Sequence, residues 1–255
     1  MHKLFSKKYL SLLILTLTII SGSVFTYIKV ISAPDTTCPN LKQGDIVKLI
    51  EDRSVYVLGK NLDLIYSTNG MLKSWQSTLN STTISQACFN SLIPSLEEKI
   101  TYRPGSYVLK YRYSDQLYVV KATGQGNTLA KIDSPTATKL YGNKYGKYST
   151  INLGPAAWFS YTKRSEDITD TKPHPGILIN IDGISYYVYT YGKLREVTST
   201  GFEANKFQTR FVKKINKDLI KGMQYGSKIE TAIAAITDKT QSTAYPKDAS
   251  TSTPP

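Results

Sequence analysis

Histidine and cysteine are almost missing from this chain. Of its 255 residues, the only histidines are His2 and His174, and the only cysteines are Cys38 and Cys88. A Ser-His-Asp triad needs a histidine held by two partners, and a zinc site needs three or four closely spaced ligands. His2 lies in a basic leader, and His174 sits between two prolines in Pro173-His174-Pro175-Gly176, so neither constellation can be assembled. The cysteines are 50 positions apart with no ligand neighbours, which also lacks metal-ligand spacing. No metal and no cofactor is expected.

Close acidic pairs are also scarce. Glu97-Glu98 and Glu166-Asp167 are examples, and adjacent carboxylates on a turn are ordinary solvated charges rather than the opposed pair of a glycosidase. Gly124-Gln125-Gly126 and Gly142-Asn143-Lys144-Tyr145-Gly146 are rich in glycine without joining a strand to a helix, so they are turns rather than phosphate cradles. The inventory argues against an enzyme.

What the chain does contain begins with its leader. Met1 to Tyr9 carries three lysines, and Leu10 to Ile28 then runs without a charge. That fits a signal peptide or a signal-anchor helix over residues 1–32, and both alternatives stay open. The lysine bias places the N-terminus in the cytoplasm and the body outside, either membrane-anchored through residues 10–28 or secreted after cleavage. Past the leader, Cys38 and Cys88 form an even count in an oxidising compartment, and a disulfide between them would contribute roughly 3 to 4 kcal/mol by chain entropy.

The formal charge is +13. Four of the 32 Lys and Arg (Lys3, Lys7, Lys8 and Lys29) lie in the acid-free leader, leaving 28 against 19 acids and about +9 for the body. That surplus suits an anionic wall polymer, acidic head groups or nucleic acid, and equally keeps a protein soluble. Tyrosine is abundant, at 19 residues against 7 Phe and 2 Trp, which suits half-buried sheet faces and ring-stacking surfaces alike.

Three segments read alike: Gly44-DIVKLIEDRSVYVLGKNLDLIYS, Gly105-SYVLKYRYSDQLYVVKATGQGNTLAKIDS and Gly176-ILINIDGISYYVYTYGKLREVTS, with opening glycines 61 and 71 residues apart. Each shows period-two alternation broken by Gly, Asn and Asp, the mark of an antiparallel meander of three strands. Each rises through an aromatic pair (Val55-Tyr56, Leu117-Tyr118, Tyr186-Tyr187). After each meander a stretch opening on Ser or Thr carries bulky residues at helical spacing, such as Met71, Leu72 and Trp75, or Phe202, Lys206 and Phe207. A second short helical stretch follows, with Cys88, Phe89, Leu92 and Ile93 or with Leu219, Ile220 and Met223.

The expected fold is therefore α+β: tandem three-stranded meander units, each followed by short helices, over residues 38–104, 105–175 (the most diverged) and 176–236. Tyr56, Tyr118 and Tyr187 should occupy equivalent, inward-facing positions. Residues 237–255, TDKTQSTAYPKDASTSTPP with the first Thr at 237, are too polar to offset the entropy of ordering and are expected to be a disordered tail.

Gly44-Asp45-Ile46-Val47-Lys48, Val55-Tyr56-Val57, Gly59-Lys60, Trp75 and Thr101-Tyr102-Arg103-Pro104-Gly105-Ser106 together resemble a group of bacterial envelope repeats of roughly 50 to 60 residues. The likeness covers residues 38–134 well and the third segment moderately. It departs in the second segment, and Leu64-Ile65-Tyr66 stands where the group's pattern has Phe-Pro. It implies an accessory surface module and brings no catalytic residue with it.

For binding, the pattern points to Tyr107, Lys110, Tyr111, Arg112 and Tyr113. On a strand, the three tyrosines would share one face and the two cations the other, offering rings to sugars or bases and charge to an anionic polymer. Arg210, Lys213, Lys214 and Lys217 follow helical spacing and read as a solvated helix face. The function expected is an exported, non-enzymatic envelope protein whose modules bind wall polymer or another surface protein; the alternatives are a wall-active hydrolase or transferase, and a structural subunit of a surface assembly. Nucleic acid has no dedicated motif.

Overall fold

The computed structural model describes residues 38–233, apart from 51–53, 60, 95–99, 124–125, 146–149, 162–163 and 189–191. The leader, the span at 10–28, Glu97-Glu98 and the tail at 237–255 lie outside the described residues. Among the described residues no helix is long and apolar enough to cross a membrane.

Twelve strands form three four-stranded sheets among the described residues, with five short α-helices. The first sheet holds β1 (Ile46–Leu49), β2 (Val55–Leu58), β3 (Leu64–Ser67) and β4 (Ser81–Ile84), with α1 (Asn69–Trp75) before β4 and α2 (Gln86–Ser91) after it. The second holds β5 (Val108–Tyr111), β6 (Leu117–Thr123), β7 (Gly126–Ile132) and β8 (Thr150–Leu153), with α3 (Ser134–Tyr141) and α4 (Pro155–Phe159). The third holds β9 (Leu178–Ile181), β10 (Ile184–Val188), β11 (Leu194–Glu196) and β12 (Val212–Lys214), with α5 (Ser199–Ala204) and a 3-10 turn at Lys217–Ile220.

All three sheets share one strand order: third, second, first, fourth. The first three strands are antiparallel neighbours, and the fourth lies parallel to the first. A parallel partner requires a crossover, and in each sheet the helix after the third strand lies on that crossover. The three-stranded meander expected from the sequence is thus corrected to four strands. Ser81-Thr82-Thr83 is exposed and lacks the apolar alternation that announces a strand, while Val212-Lys213-Lys214 looks like a basic run. The free edge of each third strand is met by isolated parallel bridges from the segment that closes the unit, such as Leu64 to Pro94, Ile132 to Ile168 and Val197 to Ile229.

Local chemistry sets the element boundaries. The side chains of Thr68, Asp133 and Thr198 accept hydrogen bonds from the backbone N–H groups of Met71, Thr136 and Gly201, capping α1, α3 and α5. Ahead of each first strand stands a turn whose third residue is a glycine at positive φ. Ser106 N–H donates to Arg103 O and Ile177 N–H to His174 O around Pro104-Gly105 and Pro175-Gly176, the residue pattern of a type II turn. Gly105, at φ 70°, is pressed against the Gly176-Ile177 backbone, and Gly176, at φ 96°, against Pro104, so neither position has room for a side chain.

Sheets bury both faces, and this explains the long apolar content of the strands. Ile46, Val57 and Ile65 pack with Met71, Leu72 and Trp75 of α1 against Leu109, Val120, Leu129 and Leu153 of the second sheet. The other face of that sheet, Val108, Val119 and Ala130, packs with Leu140 and Tyr141 of α3 against Ile177, Ile179, Val188 and Leu194 of the third. The second sheet is therefore sandwiched between its neighbours. The remaining faces are closed by Cys88 and Phe89 of α2 over Val47, Leu58 and Ile84, and by Phe207 and Ile229 over Leu178 and Tyr187. Cys38 and Cys88 form a disulfide that ties the entry of the chain to α2.

The common tyrosine position differs from the one expected. Tyr56 and Tyr118 stand opposite Val47 and Leu109, the second residues of β1 and β5, and in the third sheet the residue opposite Ile179, second in β9, is Tyr186. Tyr187 matches Val57 and Val119 instead. The cause is hairpin length: residues 50–54 and 112–116 link the first two hairpins, whereas Asp182-Gly183, both at positive φ, closes the third as a two-residue turn. The register-equivalent tyrosines therefore lie 12, 13 and 10 residues after their opening glycines (Gly44 to Tyr56, Gly105 to Tyr118 and Gly176 to Tyr186), and matching by that distance favours Tyr187, at 11. Burial follows register: Tyr187 is 3% exposed, while Tyr56, Tyr118 and Tyr186 are half-buried.

Candidate binding surface

The proposed binding residues divide between two places. Tyr107 is half-buried and packs edge-on between Tyr102, at 5.5 Å, and Phe211, at 5.0 Å. Lys110 forms an ion pair with Asp115 at 2.5 Å. Tyr111, Arg112 and Tyr113 do come together, but not by strand alternation. Strand β5 ends at Tyr111, and Ser114 N–H donates to Tyr111 O, so a turn folds Tyr113 back edge-on against Tyr111 at 5.4 Å. Arg112 then lies 5.0 Å from the Tyr113 ring centre, so the separate cationic face expected for Lys110 and Arg112 does not form.

This tip is extended by residues more than 40 positions away. Trp158 of α4 stacks on Tyr111 at 4.8 Å and meets Tyr118 edge-on at 4.9 Å, while the Arg164 guanidinium sits 4.9 Å from the indole. Arg164 also donates to Tyr161 O. Tyr113 is 69% exposed and Phe159 is exposed beside Trp158 in sequence. Tyr111, Tyr113, Trp158 and Tyr118 with Arg112 and Arg164 make a continuous aromatic and cationic shelf, with Tyr113 and Arg112 outermost. Sequence reasoning found its first half and missed Trp158 and Arg164, because nothing local links α4 to β5 except the parallel pairing of β5 with β8.

The buried charges, by contrast, fasten the sheets. Arg103 is buried between the rings of Trp75 and Phe207, at 5.3 and 4.4 Å, and donates to Trp75 O, Asn205 O and Lys206 O. Those carbonyls lie at the C-terminal ends of α1 and α5, where a cation is favoured by the helix dipole. Burial pulls its pKa down to about 10, so it stays charged at neutral pH. Gln208 and Arg210 both donate to Lys73 O at the same end of α1. The Thr101-to-Gly105 stretch singled out in the sequence is thus the junction of the first and third sheets. Trp75 Nε1 donates to Thr101 O and Tyr102 N–H to the Tyr161 hydroxyl at the same place.

His174 is fully engaged rather than incidental. Its Nδ1 lies 3.0 Å from Pro175 O, which can only accept, so Nδ1 carries the proton and Nε2 accepts from the Tyr141 hydroxyl at 2.7 Å. Burial, with Lys121 adding repulsion, pushes its pKa down to about 4. Burial also pushes the Tyr141 hydroxyl up, keeping it a donor. Lys213 lies 5.0 Å from the same tyrosine ring, and burial pulls its pKa down to about 8. The expected helix face of Arg210, Lys213, Lys214 and Lys217 is therefore corrected: β12 and two 3-10 turns, at Thr209–Phe211 and Lys217–Ile220, carry these residues, and Lys213 points inward because it alternates with its neighbours on a strand.

Among the described residues no three His, Cys, Asp or Glu side chains gather to hold a metal. Glu166 and Asp167 are exposed. An open groove of about 700 Å³ beside β4 is lined by Asp45, Gln76, Thr78, Asn80, Ser81 and Thr82 among others. No protein family, no curated protein and no solved structure matches the chain.

Proposed function

We propose that this chain is an exported, non-enzymatic envelope protein whose body binds wall polymer through the shelf of Tyr111, Tyr113, Trp158 and Arg112. In this reading the three sheets are tandem copies of one unit that has taken on a scaffolding role. The observation that carries it is a division of labour. Arg103, His174 and Lys213, the strongly shifted cationic or imidazole groups, are spent on joining sheets, while rings and guanidinium groups converge where they meet solvent. An exposed ring with a cation beside it can stack on a sugar face and attract an anionic substituent together.

The test is retention of the full chain, held in mild detergent, on purified anionic wall polymer across a salt series. Tyr113→Ala and Arg112→Ala should each weaken retention severalfold without shifting the melting temperature, and salt should weaken it for the parent more than for Arg112→Ala. Equal retention of all three would refute the assignment. Release of reducing sugar or peptide from the same material would favour a hydrolase instead.

A further inference from the structure

The three register-equivalent tyrosines have a second feature in common. Tyr56 meets Phe89 edge-on at 5.1 Å and 62°, Tyr118 meets Trp158 at 4.9 Å and 72°, and Tyr186 meets Tyr225 at 5.9 Å and 67°. Each partner comes from the segment that follows the fourth strand of its own sheet: α2, α4, and the stretch after the 3-10 turn. Phe, Trp and Tyr share no side-chain pattern that a sequence comparison would align. The pairing is the same in all three because the sheet register is the same.

These pairs reach solvent. Phe89 and Trp158 are half-buried, each packed in part on the core beneath it, and Tyr225 is 62% exposed, so in each case part of a large ring beside the tyrosine stays at the surface. Polar groups suited to hydroxyls stand next to each. Gln86 bonds to Asn90 at 2.7 Å on the helix of Phe89, Arg164 lies over Trp158, and Lys228 is paired with Glu196 at 2.9 Å across from Tyr186. Lys228 is already held by a carboxylate, and Gln86 and Asn90 are neutral, so a phosphate is not the group common to all three. A sugar ring is: its C–H face packs on an aromatic ring while its hydroxyls bond to amides and ion pairs at the rim.

We propose that each sheet carries an equivalent aromatic platform for one pyranose ring, built on Tyr56 with Phe89, Tyr118 with Trp158, and Tyr186 with Tyr225. This rests on the wall-polymer reading above and adds to it the part of that polymer each platform takes, an uncharged pyranose ring of its glycan chain, and a stoichiometry of three.

The test is an NMR titration of the full chain in mild detergent with a soluble N-acetylglucosamine tetrasaccharide, following the aromatic ring protons. The expected result is three occupied platforms per chain, with Phe89→Leu, Trp158→Leu and Tyr225→Leu each removing one and the triple variant removing all. Leucine keeps an apolar cover over the tyrosine, and an unchanged melting temperature confirms that each variant is folded. If a variant unfolds, the ring protons of its partner tyrosine in the folded parent decide the same platform: a shift on saturating glycan supports it and no shift overturns it. A stoichiometry of one, variants that leave the stoichiometry unchanged, or ring shifts produced by a proline-rich peptide and not by the sugar would each overturn the proposal. Retention on wall polymer through a single site lost by Tyr113→Ala would overturn the three platforms and leave the wall-polymer reading standing; absence of both retention and titration would remove both.

Discussion

Lowering the pH should loosen the seam between the second and third sheets, and His174 sets the amount. In the folded chain the imidazole is neutral, with Nδ1–H on Pro175 O and Nε2 accepting from Tyr141. A second proton would turn Nε2 into a donor facing a hydroxyl that already donates, and would add a buried cation near Lys121 and Lys213. The folded pKa is about 4 and the ordinary value is 6.5. The unfolded chain therefore takes up the proton first, so stability is full above about pH 6.5 and falls as the pH drops toward 4. At 1.36 kcal/mol per pKa unit, the loss amounts to about 3 kcal/mol. Urea unfolding followed by tryptophan fluorescence at intervals from neutral pH down to about 4 measures it. His174→Gln keeps an acceptor for Tyr141 and does not titrate, so its curve carries only the contribution of the carboxylates. The difference between the two curves should grow to about 3 kcal/mol over that window. Parallel curves would refute the reasoning, since they would mean that the imidazole is protonated as easily in the folded chain as in the unfolded one.

Arg103→Lys should cost roughly 2 to 4 kcal/mol in urea unfolding, because an ammonium cannot reach three carbonyls at once or stack between Trp75 and Phe207; a neutral result would mean that the junction of the first and third sheets contributes little. Tyr187→Ala should cost about 3 to 5 kcal/mol, and the half-buried Tyr118→Ala clearly less, by the same measurement. Equal costs would contradict the register described above. Reducing the Cys38–Cys88 bond should lower stability by about 4 kcal/mol for a loop of this length, read as a drop in urea midpoint on adding a thiol reductant.

Much of the fold is legible locally. Thr68 and Thr198 announce their helices, the alternating runs announce the meanders, and the Pro-Gly pairs announce the turns ahead of β5 and β9. The fourth strands are hidden because Ser81 to Thr83 gains its place by pairing with β1 at an exposed edge, and long-range pairing leaves no periodic signature in a polar run. His174 is hidden for a related reason. Flanking prolines suggest a linker, yet Pro175 is the turn residue that aims the imidazole at Tyr141, a partner 33 positions earlier. The binding shelf is half legible. Tyr111 and Tyr113 stand out as an aromatic run, but their geometry depends on a turn at Ser114 and on Trp158, which arrives through the pairing of β8. Buried charge is the least legible quantity of all, since Arg103 and Lys213 look like any other cation until the third sheet closes over them.

Hydrogen exchange of the full chain with and without anionic wall polymer tests most directly the claim that the exposed shelf, and not the polar groups at the sheet junctions, does the binding. Protection is expected over residues 111–118 and 155–161. Protection confined to the groove beside β4, or to residues 101–106 and 173–177, would contradict it.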